Sequence, residues 1–171
     1  MLEGRASPTD PVYIVFTSGS SGKPKGIVIE HSAFATSAYA HAKALYILPN
    51  SRVLQFASYS FDVSLMETLT PLILGATVCN PLDERRLGGI AKEINDLNAT
   101  WAFFSPSFAR TLDAGDMPKL EAMVLGGEAI RGDDIAYWAE KVQLVNAYGP
   151  SECSVVSDQP NKLQYLQCSS C

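Results

Sequence analysis

Residues 13 to 26 read Tyr13-Ile14-Val15-Phe16-Thr17-Ser18-Gly19-Ser20-Ser21-Gly22-Lys23-Pro24-Lys25-Gly26. A β-branched and aromatic run is followed at once by hydroxyl side chains, glycines and two lysines. Glycine lets the backbone come close to an anion and point successive N–H groups at it, and the hydroxyl and ammonium groups add further donors. A strand that ends in such a loop predicts a polyphosphate site, and ATP is the obvious candidate ligand.

Two better-known loops have a different spacing. A Walker P-loop needs four residues between its first glycine and the Gly-Lys pair, whereas only Ser20 and Ser21 lie between Gly19 and Gly22 here, and Pro24 follows Lys23. The Gly-x-Ser-x-Gly elbow of serine hydrolases is absent as well. The remaining alternative is a solvent-exposed Gly/Ser hairpin with no ligand.

Composition excludes several classes of protein. The 171 residues are 47% hydrophobic, which suffices for one continuous core, and the net charge of −5 offers no basic stripe for nucleic acid or an anionic membrane. No apolar run is long enough to span a bilayer, and the first residues lack the order of a signal peptide. The expectation is a cytoplasmic protein with neither a nucleic acid nor a membrane as its partner.

The four cysteines do not predict a disulfide framework, because they are few and dispersed. Only Cys168 and Cys171 form a CxxC pair. A zinc site would need two more ligands, and His31 and His41 lie far upstream. We therefore expect this pair to belong to a polar tail rather than to a metal site.

Helical and strand patterns alternate along the chain. Strands are expected at 13–16, 27–29, 53–57, 76–79, 101–104, 122–125 and 142–145. Helices are expected at 33–47 with Ser32 as N-cap, from Asp62 to Gly75, and at 87–97, 108–112 and 133–140. Residues 1–11 are expected to form a disordered leader, 12–157 the folded domain, and 158–171 a tail with no amphipathic period.

This alternation predicts an α/β fold, a layered and mostly parallel sheet with crossover helices. Ligands of such sheets bind beyond the carboxyl ends of the strands. Three segments should therefore lie close together, each of them following a strand: residues 17–22, 126–128 and 146–152.

The last of these segments reads Asn146-Ala147-Tyr148-Gly149-Pro150-Ser151-Glu152. Asn146 could hydrogen-bond an adenine edge, Tyr148 could stack on the purine, Ser151 could donate to a phosphate, and Glu152 could ligate Mg²⁺. The alternative is a Gly-Pro turn with Glu152 merely solvated.

A further segment of interest is Phe61-Asp62-Val63-Ser64. Read from the residues alone, Asp62 is a helix N-cap. A carboxylate at this position could instead pair with an ammonium group, since a desolvated ammonium needs an anionic partner.

These segments together resemble the adenylate-forming superfamily, which includes acyl-CoA synthetases, luciferases and the adenylation domains of nonribosomal peptide synthetases. The wording of residues 146–152 and the presence of Asp62 are most similar to the adenylation domains. The resemblance implies activation of an amino acid by ATP and Mg²⁺, with a phosphopantetheine thiol of a peptidyl carrier domain as acceptor. The implied fold is part of the large N-terminal domain.

The resemblance also implies roles for individual residues. The phosphates fall to Thr17, Ser18, Gly19, Ser20, Ser21, Gly22, Lys23 and Lys25. The adenylate falls to Gly126, Gly127, Glu128, Asn146, Ala147, Tyr148, Gly149 and Ser151, and Mg²⁺ falls to Glu152. Asp62 takes the α-ammonium group. The pocket for the amino acid is lined by Asp62, Val63, Met66, Phe103, Val124, Gly126, Ala147, Val155 and Val156.

All of the pocket residues except Asp62 lack a charge, which favours an apolar or aromatic amino acid. Gly126 and Ala147 are small and are expected to leave room for bulk. A fragment of an acyl- or aryl-CoA ligase stays as an alternative, because short motifs do not settle the substrate.

The resemblance runs from about Tyr13 to Ser157 and covers the central part of the family's domain. The ribose-binding aspartate, the hinge and the mobile C-terminal domain with its catalytic lysine have no counterpart in residues 158–171. We therefore expect a truncated chain with little activity of its own. The alternative of another class is a non-catalytic remnant or a nucleotide-binding module.

Overall fold

A computed structural model describes residues 6–18, 22–86 and 88–156. Its strands are β1 Pro11–Thr17, β2 Lys25–Glu30, β3 Arg52–Leu54, β4 Thr77–Cys79, β5 Trp101–Phe104, β6 Ala122–Leu125 and β7 Gln143–Asn146. Its α-helices are α1 His31–Ala44, α2 Val63–Leu74, α3 Ile90–Asp96, α4 Pro106–Ala109 and α5 Gly132–Trp138. Single 3-10 turns lie at Asp83–Arg85, Ala114–Asp116 and Ser151–Cys153. No helix of the described part is long and apolar enough to cross a membrane.

The main sheet has five parallel strands in the order β4-β3-β5-β6-β7. At its carboxyl edge Phe104 pairs with Leu125, and Leu125 pairs with Asn146. The turns that follow β5, β6 and β7 therefore start side by side. The predicted α/β class and the parallel sheet are confirmed, and β5 and β6 have the bounds expected from the sequence.

The first two strands form a separate antiparallel hairpin, with Ile14 opposite Val28 and Thr17 opposite Lys25. The expectation that β1 is a strand of the parallel sheet was wrong. The physical reason is the length of the connection, because a crossover between parallel strands needs about a dozen residues or more and the chain between Thr17 and Lys25 is shorter.

Side chains of the parallel strands alternate between two cores. Leu54, Ala102 and Leu125 belong to the core that also contains Ile94 of α3 and Trp138 of α5. The opposite face is formed by Val53, Trp101, Met66, Val124 and Val145, together with Ala42 of α1. This two-residue period is what the pleat of a strand imposes when both faces of a sheet are covered.

Helix α1 begins at His31, and its N-cap residue is Glu30 rather than Ser32. Its first N–H groups are satisfied by the chain before β1: His31 N–H donates to the Asp10 carbonyl at 3.0 Å, and Ser32 N–H donates to the Pro8 carbonyl at 2.9 Å. Residues 7–10 thus form a turn bonded to the helix, which differs from the disordered leader expected up to residue 11. Tertiary backbone contacts replace the side-chain cap here.

Other boundaries shift by a few residues. Strand β3 ends at Leu54, α3 begins at Ile90 rather than at residue 87, and α4 lies at 106–109, where Ser105 accepts a hydrogen bond from Phe108 N–H at 3.3 Å. Helix α2 ends as expected at Gly75, which adopts a left-handed φ of 76°. The tail from residue 157 onward, with its CxxC pair, lies outside the described residues.

Candidate functional site

A cavity of about 780 Å³ opens at the carboxyl edge of β5, β6 and β7. Its walls come from residues 56–59 after β3, 61–63 at the start of α2, 103–105 at the end of β5, 126–127 after β6, 147–149 after β7, and 155–156. Asp83 and Arg86 complete the lining. The sheet topology alone accounts for this convergence, because parallel strands deliver the segments that follow them to a single edge.

Most residues that the sequence analysis assigns to the amino-acid pocket line this cavity: Asp62, Val63, Phe103, Gly126, Ala147, Val155 and Val156. The two others do not. Met66 and Val124 are fully buried in the core beneath the cavity, where they pack with Val53 and Trp101. A direct contact of these two side chains with a ligand in the cavity is therefore not supported by the structure.

Asp62 is the N-cap residue of α2 by position, but its side chain makes no capping hydrogen bond. The interpretation of this carboxylate as a helix cap is therefore wrong. It lies partly buried in the cavity wall and near Tyr13. Burial, with the negative charge of Asp62 as a second cause, raises the pKa of Tyr13 to about 12. The Asp62 carboxylate thus lies in the cavity wall and makes no hydrogen bond to the first N–H groups of α2.

Gly126 does not leave open space, contrary to the expectation from its size. A Cβ at this position would lie 2.6 Å from Phe103 Cζ and 3.0 Å from the Ala147 carbonyl oxygen. The Phe103 ring therefore occupies the volume that the glycine leaves. Since Phe103 itself lines the cavity, its ring limits the size of the pocket at this end.

The glycine turn continues at Gly127, whose φ of 79° lies in the left-handed region that favours glycine. The next residue, Glu128, reaches away to α4. Its Oε1 accepts from the Ser107 hydroxyl at 2.7 Å and its Oε2 from the Ser107 N–H at 3.1 Å. The hydrogen bonds from Ser107 hold the pKa of Glu128 below its usual value. Glu128 thus ties the turn after β6 to the start of α4.

After β7 the expected adenylate residues divide into two groups. Ala147, Tyr148 and Gly149 line the cavity, and the Tyr148 side chain is largely exposed. Asn146, the last residue of β7, is not part of the lining. Ser151 and Glu152 lie in the 3-10 turn that follows.

An ion pair joins the β1–β2 hairpin to the segment that follows β7. Lys25, at the start of β2, places its Nζ 3.8 Å from Oε1 of Glu152, and both side chains are exposed. Gly22 has a φ of 80°, as a tight loop requires. Gly19, Ser20 and Ser21 lie outside the described residues. The hairpin therefore brings at least one loop lysine to the carboxylate that the sequence analysis assigns to Mg²⁺.

A carboxylate beside a lysine is a donor set that suits Mg-ATP, because Mg²⁺ in nucleotide sites takes one or two carboxylates plus phosphate oxygens rather than a protein cage. No cluster of three or more His, Cys, Asp or Glu side chains placed to hold a metal occurs among residues 6–18, 22–86 and 88–156.

Two parts of the cavity wall were not expected from the sequence. Residues 56–59 form one wall, with the Phe56 ring 5.0 Å from the Phe104 ring and 4.7 Å from the Phe108 ring between centroids. Arg86 forms part of another wall. The rule that ligands bind beyond the carboxyl ends of parallel strands would have identified residues 56–59, since they also follow a parallel strand. Nothing in the local sequence marks Arg86.

Comparisons with known proteins agree with this geometry. The family model described as AMP-binding enzyme matches residues 2–168. Nonribosomal peptide synthetase 4 of Gibberella zeae is 51% identical over 151 residues, which are 88% of this chain and 2% of that protein. D-lysergyl-peptide-synthetase subunit 1 of Claviceps purpurea is 51% identical over 147 residues, 86% of this chain and 4% of that protein.

Solved structures show the same fold. The Vibrio cholerae adenylation domain AlmE, in complex with glycyl-adenosine-5'-phosphate, superposes with a TM-score of 0.76 at 27% identity, over 88% of this chain and 30% of that one. The N-terminal subdomain of Klebsiella oxytoca NpsA, in complex with 3-hydroxybenzoyl-AMSN, gives a TM-score of 0.74 at 27% identity, over 89% and 40%. This chain thus spans a small part of its peptide-synthetase relatives and less than half of these adenylation structures. It belongs to the family of AMP-binding enzymes, and within that family it resembles the adenylation domains of nonribosomal peptide synthetases.

Proposed function

We propose that this chain is the adenylate-binding core of an adenylation domain that activates an apolar or aromatic α-amino acid. The observation that carries the proposal is the Asp62 carboxylate, which lines the same cavity as Val63, Phe103 and Val156 and makes no helix-capping bond. A carboxylate in such a wall suits the ammonium group of an amino acid, and the uncharged neighbours suit its side chain.

In the proposed reaction a carboxylate oxygen of the amino acid attacks the α-phosphorus of ATP. A bond to the α-phosphorus forms, the bond to the bridging oxygen breaks, and pyrophosphate leaves. When bound, Mg²⁺ supplies charge neutralisation at the phosphates, with Glu152 as its protein ligand. The loop from Thr17 to Lys25 holds the β- and γ-phosphates, and the turns at Gly126 and Tyr148 hold the adenylate.

Relatives support the class of ligand and of partner. AlmE binds glycyl-adenosine-5'-phosphate, an aminoacyl adenylate. NpsA has been joined with ThdA in an artificially fused adenylation and carrier-protein di-domain. By analogy we propose an aminoacyl adenylate as the ligand of the cavity, and a phosphopantetheine thiol on a peptidyl carrier domain as the acceptor in a complete enzyme.

Replacing Asp62 tests the role of its carboxylate. We expect Asp62→Asn to lower the affinity for a non-hydrolysable phenylalanyl-sulfamoyl adenosine by about tenfold or more, since a charge-assisted hydrogen bond contributes about 1.5–3 kcal/mol. Affinity for AMP should stay within about twofold because AMP carries no ammonium group. Isothermal titration calorimetry with both ligands measures this. Equal losses for the two ligands, or none, would contradict the assignment.

Catalysis by the isolated chain should be weak. We expect ATP–pyrophosphate exchange, assayed with a panel of amino acids, to be absent or close to background. The reason is that this chain covers only 30% and 40% of the two adenylation structures compared above, and the resemblance implies that the family's catalytic lysine belongs to the part that is not covered. Strong exchange with any amino acid would show that the chain is catalytically sufficient. Failure to bind any adenylate analogue would favour a non-catalytic remnant.

A further inference from the structure

Glu67 is a fully buried carboxylate behind the cavity wall. It lies on α2, the helix that begins directly after Asp62. Its Oε2 accepts from the N–H groups of Phe56 and Ala57, each at 2.9 Å, and from Gln55 Nε2 at 3.3 Å. One carboxylate oxygen therefore holds two successive backbone amides of the segment that follows β3.

The same segment is held from its carbonyl side by Arg86. Arg86 Nη1 donates to the carbonyl oxygens of Gln55 at 3.0 Å and Phe56 at 3.1 Å, and Nη2 donates to Gln55 Oε1 at 2.8 Å. Asp83 and Asn80 orient the guanidinium, accepting from Nε at 2.9 Å and from Nη2 at 3.0 Å. Residues 55–57 are thus held between a buried carboxyl group on α2 and the Arg86 guanidinium after β4.

Burying the Glu67 carboxyl group costs free energy, because the group loses its hydration. Burial raises the pKa of Glu67 to about 8, although its hydrogen bonds from Ala57, Phe56 and Gln55 and the charge of Arg86 all act in the opposite direction. Oε1 has no hydrogen-bond partner among the described residues. A main chain that only needed to continue a strand would be satisfied by the ladder with β4, as Gln55 N–H is by the Cys79 carbonyl at 2.8 Å.

We propose that Glu67 is a positioning residue for the aminoacyl pocket: with Arg86 it fixes the backbone of residues 55–57 and couples that wall to the helix that carries Asp62. The proposal rests on the proposed function in so far as the cavity takes an aminoacyl adenylate. Residues 56–59 and Asp62 form adjoining parts of one cavity, so a shift of either part against the other would change the distance between the acyl pocket and the ammonium site.

The test combines three substitutions with one control. Glu67→Ala removes the acceptor, Glu67→Asp draws it back by one methylene, and Glu67→Gln keeps an oxygen in the same place. Glu93→Ala is the control, because Glu93 is also buried, accepts from Arg85 Nη1 at 2.8 Å and from Leu82 N–H at 3.2 Å, and is not part of the cavity lining. Thermal unfolding of each variant establishes which of them are folded.

The first measurement is hydrogen–deuterium exchange of the peptide that contains residues 55–58, which requires no ligand. We expect the amides of Phe56 and Ala57 to exchange about tenfold faster or more in Glu67→Ala and Glu67→Asp, because both amides lose the buried oxygen that accepts their hydrogen bonds. Glu67→Gln and Glu93→Ala should exchange like the unsubstituted chain at these amides.

The second measurement is the affinity for phenylalanyl-sulfamoyl adenosine relative to AMP. We expect this ratio to fall about tenfold in Glu67→Asp and Glu67→Ala, and to be restored in Glu67→Gln. Unchanged amide exchange, or an equal loss of both affinities with the ratio preserved, would overturn the proposal. If the unsubstituted chain binds no analogue, the proposed function fails. The exchange of the Phe56 and Ala57 amides then decides by itself whether Glu67 fixes the backbone of residues 55–57.

Discussion

Replacing Gly126 by alanine is expected to destabilise the folded chain by about 1–3 kcal/mol, the usual cost of forcing an extra methyl group into a packed site. The added Cβ would lie 2.6 Å from Phe103 Cζ and 3.0 Å from the Ala147 carbonyl oxygen. The ring can shift, but the carbonyl belongs to the backbone after β7 and cannot easily give way. Chemical denaturation measures the loss. The same substitution should weaken adenylate-analogue binding, because a displaced Phe103 ring moves into the cavity.

Phe103→Leu provides the second arm of this experiment. Leucine lacks the outer ring atoms that the new methyl group meets, so the double variant Gly126→Ala/Phe103→Leu should recover part of the stability lost by Gly126→Ala alone. Gly132→Ala is the matched control, since a Cβ there meets no atom within 4 Å and alanine is favoured at the start of α5. Strict additivity of the two single substitutions would contradict the packing of Phe103 over Gly126.

The free energy of unfolding should fall as pH rises from about 4.5 to about 8, with a contribution from Glu67 whose slope approaches about 1.4 kcal/mol per pH unit. In this window the folded chain keeps a proton on Glu67, where burial raises the pKa to about 8, and the unfolded chain has released it. The unfolded state therefore binds fewer protons, and rising pH favours it. Below pH 4.5 both states are protonated and the full contribution is present.

Glu67→Gln isolates this contribution, because glutamine has a similar shape and does not titrate. We expect the unfolding free energy of the unsubstituted chain, minus that of Glu67→Gln, to decrease across the window and to level off above about pH 8. Denaturation at several pH values gives the difference directly, because the subtraction removes contributions that the two chains share. A difference that stays constant with pH would contradict the buried, proton-binding state of Glu67.

Asp134→Asn is the control of opposite sign. Hydrogen bonds from the Arg110 guanidinium, at 2.8 Å to each carboxylate oxygen, hold the pKa of Asp134 below its ordinary value of 3.8. Its stabilisation is therefore present above that value and is lost only as pH falls through the lowered pKa. Asp134→Asn should lower stability by a constant amount between pH 4.5 and 8, in contrast to Glu67→Gln.

The parallel sheet could be predicted from the sequence because its strands are short, buried and strongly apolar or aromatic. Trp101 to Phe104 and Ala122 to Leu125 have the expected bounds, since both faces of the sheet are covered and the local pattern agrees with the tertiary environment. The rule that ligands bind beyond the carboxyl ends of parallel strands then placed Gly126 and Ala147 at one cavity.

The hairpin and the helix starts were harder to predict, because their determinants are distant in sequence. Whether β1 joins the parallel sheet depends on the length of its connection to β2, and whether Ser32 caps α1 depends on where the Pro8 and Asp10 carbonyls lie. Similarly, the sequence around Asp62 favours a helix cap, and only the folded chain shows that its side chain makes no capping hydrogen bond.

The sequence by itself determined the family, the α/β class and most of the segments that line the cavity, because loop chemistry and strand patterning are local properties. The tertiary structure decided which side chains of those segments reach the cavity. Met66 and Val124 are fully buried in the core with Val53 and Trp101, although they share a helix face with Val63 and a sheet face with Phe103, which both reach the cavity. Phe103 covers Gly126 because β5 and β6 are neighbours in the sheet. Glu67 bonds Gln55, Phe56 and Ala57, and Arg86 bonds the first two of them, only after the chain has folded, since packing alone brings α2 and the segment after β4 together around the end of β3.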